Sequence, residues 1–255
     1  MRDISEFINK IHCGDCLDLM REMPDKSVDL VLTDLPYEQT RNEWDSQIPL
    51  DFLWREWKRI RKENTVIILF GQGMFTADLM YSNKPEWRYN LIWEKGNRVS
   101  GFLNANKMPL RAHEDIVVFY KELPVYNPQF TIGPLTHKRS ISEKKVCNNY
   151  GKNIQTATNE DLGHQKHPRS ILTFEKPHPA IHPTEKPTRL CEYLIRTYSD
   201  VGAVVLDNCA GSGPTLEACM RSGRNYIGIE KEPEYIKIAE KRLEKVNNHK
   251  IEEWF

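Results

Sequence analysis

Short runs of apolar residues alternate along this chain with stretches in which apolar positions recur every three or four residues, the rhythm of strands and cover helices in an α/β sheet. Ile11, His12 and Cys13 form a first short run, and a helical pattern in Leu17, Leu19, Met20 and Met23 follows until Pro24. A second strand spans residues 28–33. Over residues 50–62, Leu50, Leu53, Trp54, Trp57 and Ile60 share one helical face with basic residues opposite, which predicts an amphipathic cover helix. Residues 65–70 (Thr-Val-Ile-Ile-Leu-Phe) form a continuous run bounded by charges and glycine, so they belong at the sheet centre, buried on both faces. A helix over about 74–81 leads to strands at 87–93 and 115–120, placed to pair directly. The last quarter reads as helix 188–198, strand 203–206 ending in Asp207, a small-residue turn 208–213, helix 215–222, strand 226–230 and a charged helix from 233 to about 246. The strands number seven, near residues 11, 28, 65, 88, 115, 203 and 226.

Two stretches break the rhythm. Residues 94–114 hold few large apolar residues and carry Lys95, Arg98, Lys107 and Arg111; a loop of that length inside a compact domain is usually functional or mobile. From 121 to about 179, Pro, Asn, Thr, Gly and His become frequent, and residues 138–169 hold seven Lys/Arg against three acids. That segment cannot build a large core, so it reads as an insertion on the main domain, with a solvated loop region as the alternative. The 255 residues suit one large α/β domain with such an insertion. Lys+Arg 36 against Asp+Glu 36 gives no global positive field, so a nucleic acid would have to be held by local basic patches. Six cysteines include only one Cys-x-x-Cys, Cys13 and Cys16, and read as reduced thiols of an intracellular protein. No basic-then-apolar leader opens the chain and no apolar run approaches a membrane span, so a soluble, cytoplasmic protein is expected. His178 and His182 are four apart, but Pro179 and Pro183 break any helix that would aim them at one ion; no metal site is expected.

The chemistry gathers at two strand ends. The run 28–33 stops abruptly at Asp34-Leu35-Pro36-Tyr37, and strand ends are where α/β sheets place their sites. Leu35 precedes a proline and is held extended, while Pro36 offers no N–H, so the Leu35 carbonyl is left pointing outward beside the Asp34 carboxylate. Two acceptors next to the Tyr37 ring suit a flat group carrying an NH2; the plainer alternative is that Asp34 caps a turn and Tyr37 is packing. Near the other end of the chain, Asp207 closes a strand, Gly211 and Gly213 lie in the following turn, and Glu230 closes the next strand. This is the general signature of a nucleoside cofactor: the glycines let the backbone come close and the acid takes ribose hydroxyls. A dinucleotide site needs a third glycine where Leu216 stands, and no Gly-Lys-Ser/Thr phosphate loop is present, which disfavours a dehydrogenase or an NTPase. A cofactor with ribose and adenine but no phosphate fits better, and S-adenosylmethionine is the common one.

Taken together, these segments resemble the amino-group DNA methyltransferases. Asp34-Leu35-Pro36-Tyr37 is similar to their catalytic Asp-Pro-Pro-Tyr, residues 205–213 (Val-Leu-Asp-Asn-Cys-Ala-Gly-Ser-Gly) to their cofactor motif, and His182-Pro183-Thr184-Glu185-Lys186-Pro187 to the His-Pro-Thr-x-Lys-Pro segment of the beta-type enzymes. The catalytic motif comes first and the cofactor motif last, the beta-type permutation. Covering nearly all of the chain outside roughly 121–175, the resemblance implies an α/β fold, a circularly permuted seven-stranded Rossmann-like S-adenosylmethionine-dependent methyltransferase fold. Its parts would be a catalytic half (1–120), an inserted target-recognition region (121–175) and a cofactor-binding half (176–255). Catalytic roles are implied for Asp34, Leu35, Pro36 and Tyr37. Cofactor contacts are implied from Asp15, Cys16, His182, Thr184, Lys186, Asp207, Asn208, Cys209, Ala210, Gly211, Ser212, Gly213, Thr215, Glu230 and Lys231. Asp15 reads equally well as a helix N-cap. The chain departs from the pattern at Leu35, which replaces the first proline, at Pro214, which a helix start tolerates, and at Cys209, where an aromatic is frequent.

The implied reaction is methyl transfer to the N6 amino group of an adenine flipped out of double-stranded DNA. The N4 amino group of cytosine is the runner-up, because enzymes acting there more often carry Ser in the place of Asp34. Methylation at cytosine carbon-5 would need a thiolate, and no cysteine sits in the Asp34 turn. Competing readings are an RNA or protein-amide methyltransferase and a non-catalytic nucleic-acid-binding relative. Phosphate contacts are expected from Arg41, Lys95, Arg98, Lys107, Arg111, Lys138 and Arg139. A homodimer and a cognate restriction endonuclease come with the resemblance as candidate partners, and the sequence decides neither.

Overall fold

A computed structural model describes residues 2–36, 48–134, 164–177 and 185–252, with side chains to Asn248. Two compact units are present: Met1–Asn127 with Ser170–Phe255, and Pro128–Arg169. In the first, the elements run β1 (Lys10–Cys13), α1 (Cys16–Glu22), β2 (Val28–Thr33), α2 (Leu50–Ile60), β3 (Arg61–Gly71), α3 (Met74–Ser82), β4 (Trp87–Glu94) and β5 (His113–Phe119). The second unit contributes β6 (Thr131–Ile132) and β7 (Gln165–Lys166). The first unit then resumes with β8 (Ile171–Thr173), α4 (Thr188–Tyr198), β9 (Val204–Asp207), α5 (Pro214–Ser222), β10 (Asn225–Glu230) and α6 (Pro233–Glu252).

The main sheet has the order β1-β10-β9-β2-β3-β5-β4-β8. Strands β1, β10, β9, β2 and β3 are mutually parallel, and β5 runs against both β3 and β4. Residues on each strand alternate between two cores, as the two-residue period of a strand requires. Val31, Leu69 and Ile227 face α1, α2 and α3, represented by Met20, Trp57 and Leu79. Leu30, Ile68 and Val205 face the other layer, with Leu194 of α4, Leu216 of α5 and Leu243 of α6. The result is a doubly wound sheet, with β3 in its interior and buried along residues 65–71.

Two expectations are corrected. Among the described residues the sheet has eight strands where seven were expected: β8 pairs with β4 in parallel (Ile92 with Ile171), and Ile92 donates its N–H to the Ser170 carbonyl at 2.8 Å. This covers a β4 edge that would otherwise be open to another chain. Secondly, α2 stops at Ile60 and β3 begins at Arg61, because Arg61 pairs across the sheet with Val28 and its guanidinium grips Glu86 through two bonds of 2.7 and 2.8 Å. The second unit is a small antiparallel ribbon in its described part, with Phe130 edge-on to His167 at 4.9 Å.

Candidate functional site

Four parallel neighbours, β1, β10, β9 and β2, deliver their carboxyl ends to one edge of the sheet. The register aligns Cys13 with Glu230 and Gly228 with Asp207, and places Val31 beside Leu206. The Asp15, Glu230, Asp207 and Asp34 carboxylates therefore stand in a row. Chain connections diverge between β9 and β2, since β9 leads through α5 to β10 on one side while β2 leads to β3 on the other. Such a switch point opens a crevice at the carboxyl edge.

The turn after β9 is shaped by its glycines. Gly211 and Gly213 have φ of +52° and +78°, in the left-handed region. A Cβ on Gly213 would lie 2.8 Å from the Ala239 Cβ of α6, whereas one on Gly211 would meet no atom within 4 Å. Gly213 is thus needed for packing, and Gly211 opens toward space where a ligand can lie against the backbone. Leu216, in the place of a third glycine, instead covers Gly228 of β10. Glu230 is oriented by two backbone donors: Gly211 N–H to Oε2 at 2.8 Å and Glu232 N–H to Oε1 at 2.9 Å. Asp207 is buried, and that burial pushes its carboxyl up to about 6 against the help of the Thr215 hydroxyl. The Ser212 hydroxyl is buried with no hydrogen-bond partner among the described residues, a costly state unless something else supplies one. Together the open turn, the oriented acid and the unmet hydroxyl fit a ribose- and amine-bearing cofactor, and nothing in the turn is built for a pyrophosphate.

Other expected cofactor residues divide by where they point. Asp15 is the exposed N-cap of α1, its Oδ1 accepting from Leu17 N–H (2.8 Å) and Asp18 N–H (3.2 Å). Cys16 is buried beside Cys209, and the two thiols hydrogen-bond; that neighbour, with burial, holds Cys209 well above the ordinary thiol range. Lys231 is exposed just past β10. Asn208, Ala210 and Thr215 turn inward. The Asn208 carbonyl accepts from the Trp57 indole at 3.1 Å, Ala210 packs in the core with Leu216, and the Thr215 hydroxyl points at Cys191. These three side chains support the turn from beneath. The Lys186 ammonium goes to Asp34 Oδ2 and lies 3.4 Å from Glu114 Oε2, which ties it to the catalytic turn. His182 and Thr184 lie outside the described residues, as do Tyr37, Arg41, Lys138 and Arg139.

At the β2 end, Leu35 is buried in the core and anchors the turn that presents Asp34. Arg98, Lys107 and Arg111 are exposed between β4 and β5, with Arg111 donating to Gln72 at 2.9 Å. Lys95 is not on that surface: it is 1% exposed and 2.7 Å from Glu114 Oε1. A phosphate cannot reach it, so the expectation of a DNA contact at Lys95 is withdrawn. Glu114, Trp57 and Arg242 are site-supporting residues that the sequence reading missed. Arg242 of α6 clamps Glu185 and, at 3.1 Å, Glu217, which fixes the segment carrying Lys186. No group of three or more His, Cys, Asp or Glu is arranged to hold a metal among the described residues. Nor is any described helix long and apolar enough to cross a membrane.

Comparison with known proteins agrees with this geometry. A family model of the N6/N4 type, described as DNA methylase, matches residues 28–241. The type II methyltransferase M.HinfI of Haemophilus influenzae is 30% identical over 96% of this chain and 70% of its own length. The DNA adenine methyltransferase YhdJ of Escherichia coli (strain K12) is 28% identical over 94% of this chain and 84% of its own. Among solved structures, the M1.HpyAVI–SAM complex superposes with a TM-score of 0.63 at 21% identity, covering 92% of this chain and 98% of that one, which establishes the shared fold.

Proposed function

This chain belongs to the N6/N4 DNA methylase family, and from that membership and the row of strand-end carboxylates we propose that it methylates the N6 amino group of an adenine flipped out of duplex DNA, using S-adenosylmethionine. The observation that carries the reading is the placement of Asp34 at the end of β2, next to the open Gly211 turn at the end of β9. When bound, S-adenosylmethionine supplies an electrophilic methyl carbon on a sulfonium. Glu230 would take the ribose hydroxyls, Gly211 and Ser212 would line the cofactor's path, and Asp15 with Cys16 would meet its adenine.

Asp34 and the Leu35 carbonyl accept the two hydrogens of the target amino group. An exocyclic amine is a poor nucleophile because its lone pair is delocalised into the ring; two acceptors favour the pyramidal form and stabilise the positive charge that develops on nitrogen. The proton left over after transfer passes to Asp34, directly or through water. Tyr37 is the stacking platform of this proposal, and Pro36 stiffens the turn. Adenine is favoured over cytosine by the carboxylate at position 34 and by the likeness to YhdJ, a DNA adenine methyltransferase. Burial pushes the Cys191 thiol up to about 12, the Cys16 neighbour and burial hold Cys209 well above the ordinary thiol range, and no cysteine sits in the Asp34 turn, all of which speak against carbon-5 chemistry.

Arg98, Lys107 and Arg111 supply phosphate contacts in this proposal, with Arg41, Lys138 and Arg139 as further candidates and residues 121–175 as the target-recognition region. A homodimer, a cognate restriction endonuclease and a cytoplasmic location belong to the same reading and come with the family membership. Sequencing that detects modified bases, applied to DNA from cells expressing the protein, tests the proposal: N6-methyladenine in one recurring sequence is expected, and unmodified adenine throughout would refute it.

A further inference from the structure

Behind the Asp34 turn runs a line of four charged side chains of alternating sign, each from a different segment: Lys95 after β4, Glu114 in β5, Lys186 before α4 and Asp34 after β2. Lys95 Nζ lies 2.7 Å from Glu114 Oε1, Lys186 Nζ lies 3.4 Å from Glu114 Oε2, and Lys186 donates to Asp34 Oδ2. Three of the four are sealed from solvent, Lys95, Lys186 and Glu114 being 1%, 4% and 8% exposed. Aromatic faces line the ammonium groups, with Trp93 5.6 Å from Lys95 and Phe70 5.1 Å from Lys186. A line like this is a poor way to make an interior stable, because apolar side chains of equal volume usually do as well or better than buried ions. Its far end is the acceptor of the methyl-transfer site.

We propose that Glu114 is a positioning residue for methyl transfer: braced by Lys95, it shares the Lys186 ammonium with Asp34 and keeps that carboxylate oriented as a strong acceptor. The inference rests on the reading of Asp34 given above. An ammonium given wholly to Asp34 would pull its charge away from the substrate; divided between two carboxylates, it fixes the rotamer and leaves acceptor strength. Burial alone would push the Glu114 carboxyl up, but Lys186 and then Lys95 outweigh it and hold Glu114 below the usual range, ionised as the role requires. Other groups bearing on the line are Lys176 after β8, held below its usual range by burial and then by Lys95, Asp207 at the end of β9, and Cys191 on α4.

Coulomb's law gives the line a fingerprint that packing alone would lack. Removing the negative charge of Glu114 lowers the affinity of Asp34 for a proton, and removing the positive charge of Lys95 raises it. Single-turnover transfer of labelled methyl to duplex DNA is therefore measured against pH for wild type, Glu114→Gln, Glu114→Asp and Lys95→Met, with cofactor affinity by calorimetry as the check on folding. In Glu114→Gln the rate falls by about a hundredfold, as misplaced reacting groups do, its acid limb moves to lower pH, and cofactor affinity holds. Glu114→Asp recovers part of the rate and the wild-type limb, while Lys95→Met moves the limb to higher pH. A Glu114→Gln rate and limb like wild type, or a lost rate with an unmoved limb, overturns the proposal. Should that variant fail to fold, an unmoved limb in Lys95→Met overturns it instead. A wild-type protein that moves no label to DNA would overturn the reading of function and not the role of Glu114 alone.

Discussion

Single carboxylates at this sheet edge are set to different tasks by what surrounds them. Glu230 accepts from two backbone amides and keeps lone pairs for a ligand. Glu230→Gln should weaken cofactor binding by roughly 1.5 to 3 kcal/mol, the worth of hydrogen bonds to a charged group, and leave the choice of DNA site unchanged. Calorimetry decides, and wild-type affinity in the variant would reduce Glu230 to a brace for its turn. Asp207 is buried and keeps its proton to about pH 6, whereas in the unfolded chain it loses it near pH 4. Its folded pKa is raised, so its contribution is fully present below about pH 4 and is lost as pH rises through 6, a change of roughly 3 kcal/mol. Urea denaturation without cofactor should therefore show wild type losing that much relative to Asp207→Asn between pH 4 and 7. Parallel curves would mean that Asp207 is ionised throughout.

Elements were legible in proportion to their length and burial. The run at residues 65–70 and the paired runs around 88 and 115 declared strands because continuous apolar residues have few other homes. Ile171–Thr173 did not, since three residues carry no period and only its pairing with β4 makes a strand of them. Arg61 looked helical because charge patterning cannot anticipate a guanidinium folded back onto Glu86. In the turn before α5, Gly213→Ala should cost about 1 to 3 kcal/mol, combining positive φ with a contact against Ala239. Gly202→Ala, at φ +83° with open space, bears only the first of these. Thermal denaturation should rank the two in that order, and only Gly213→Ala should also weaken cofactor binding; equal losses would contradict the packing argument.

Across the whole molecule, the motifs told which strand ends meet, but not which charges lie beneath them. Lys95 and Arg98 are equivalent as letters in a basic loop, yet one is sealed against Glu114 and the other exposed, a difference created only when β4 and β5 pair. Neutral overall, the chain must hold DNA through such local exposure. Each phosphate contact contributes about −0.9 to the slope of log K against log salt, so replacing Arg98, Lys107 and Arg111 together by alanine should flatten the slope for random duplex by up to about 2.7. An unchanged slope would move the DNA path elsewhere.

In the proposed reaction, Asp34 receives the amino group of a DNA adenine beside the cofactor turn. Duplex DNA incubated with labelled S-adenosylmethionine and either wild type or Asp34→Ala, then digested and analysed as nucleosides by mass spectrometry, checks this role. Label in N6-methyladenine with wild type, none with Asp34→Ala, and near-normal cofactor affinity in that variant is the predicted result. Label confined to the cytidine fraction, or undiminished transfer by Asp34→Ala, would contradict it.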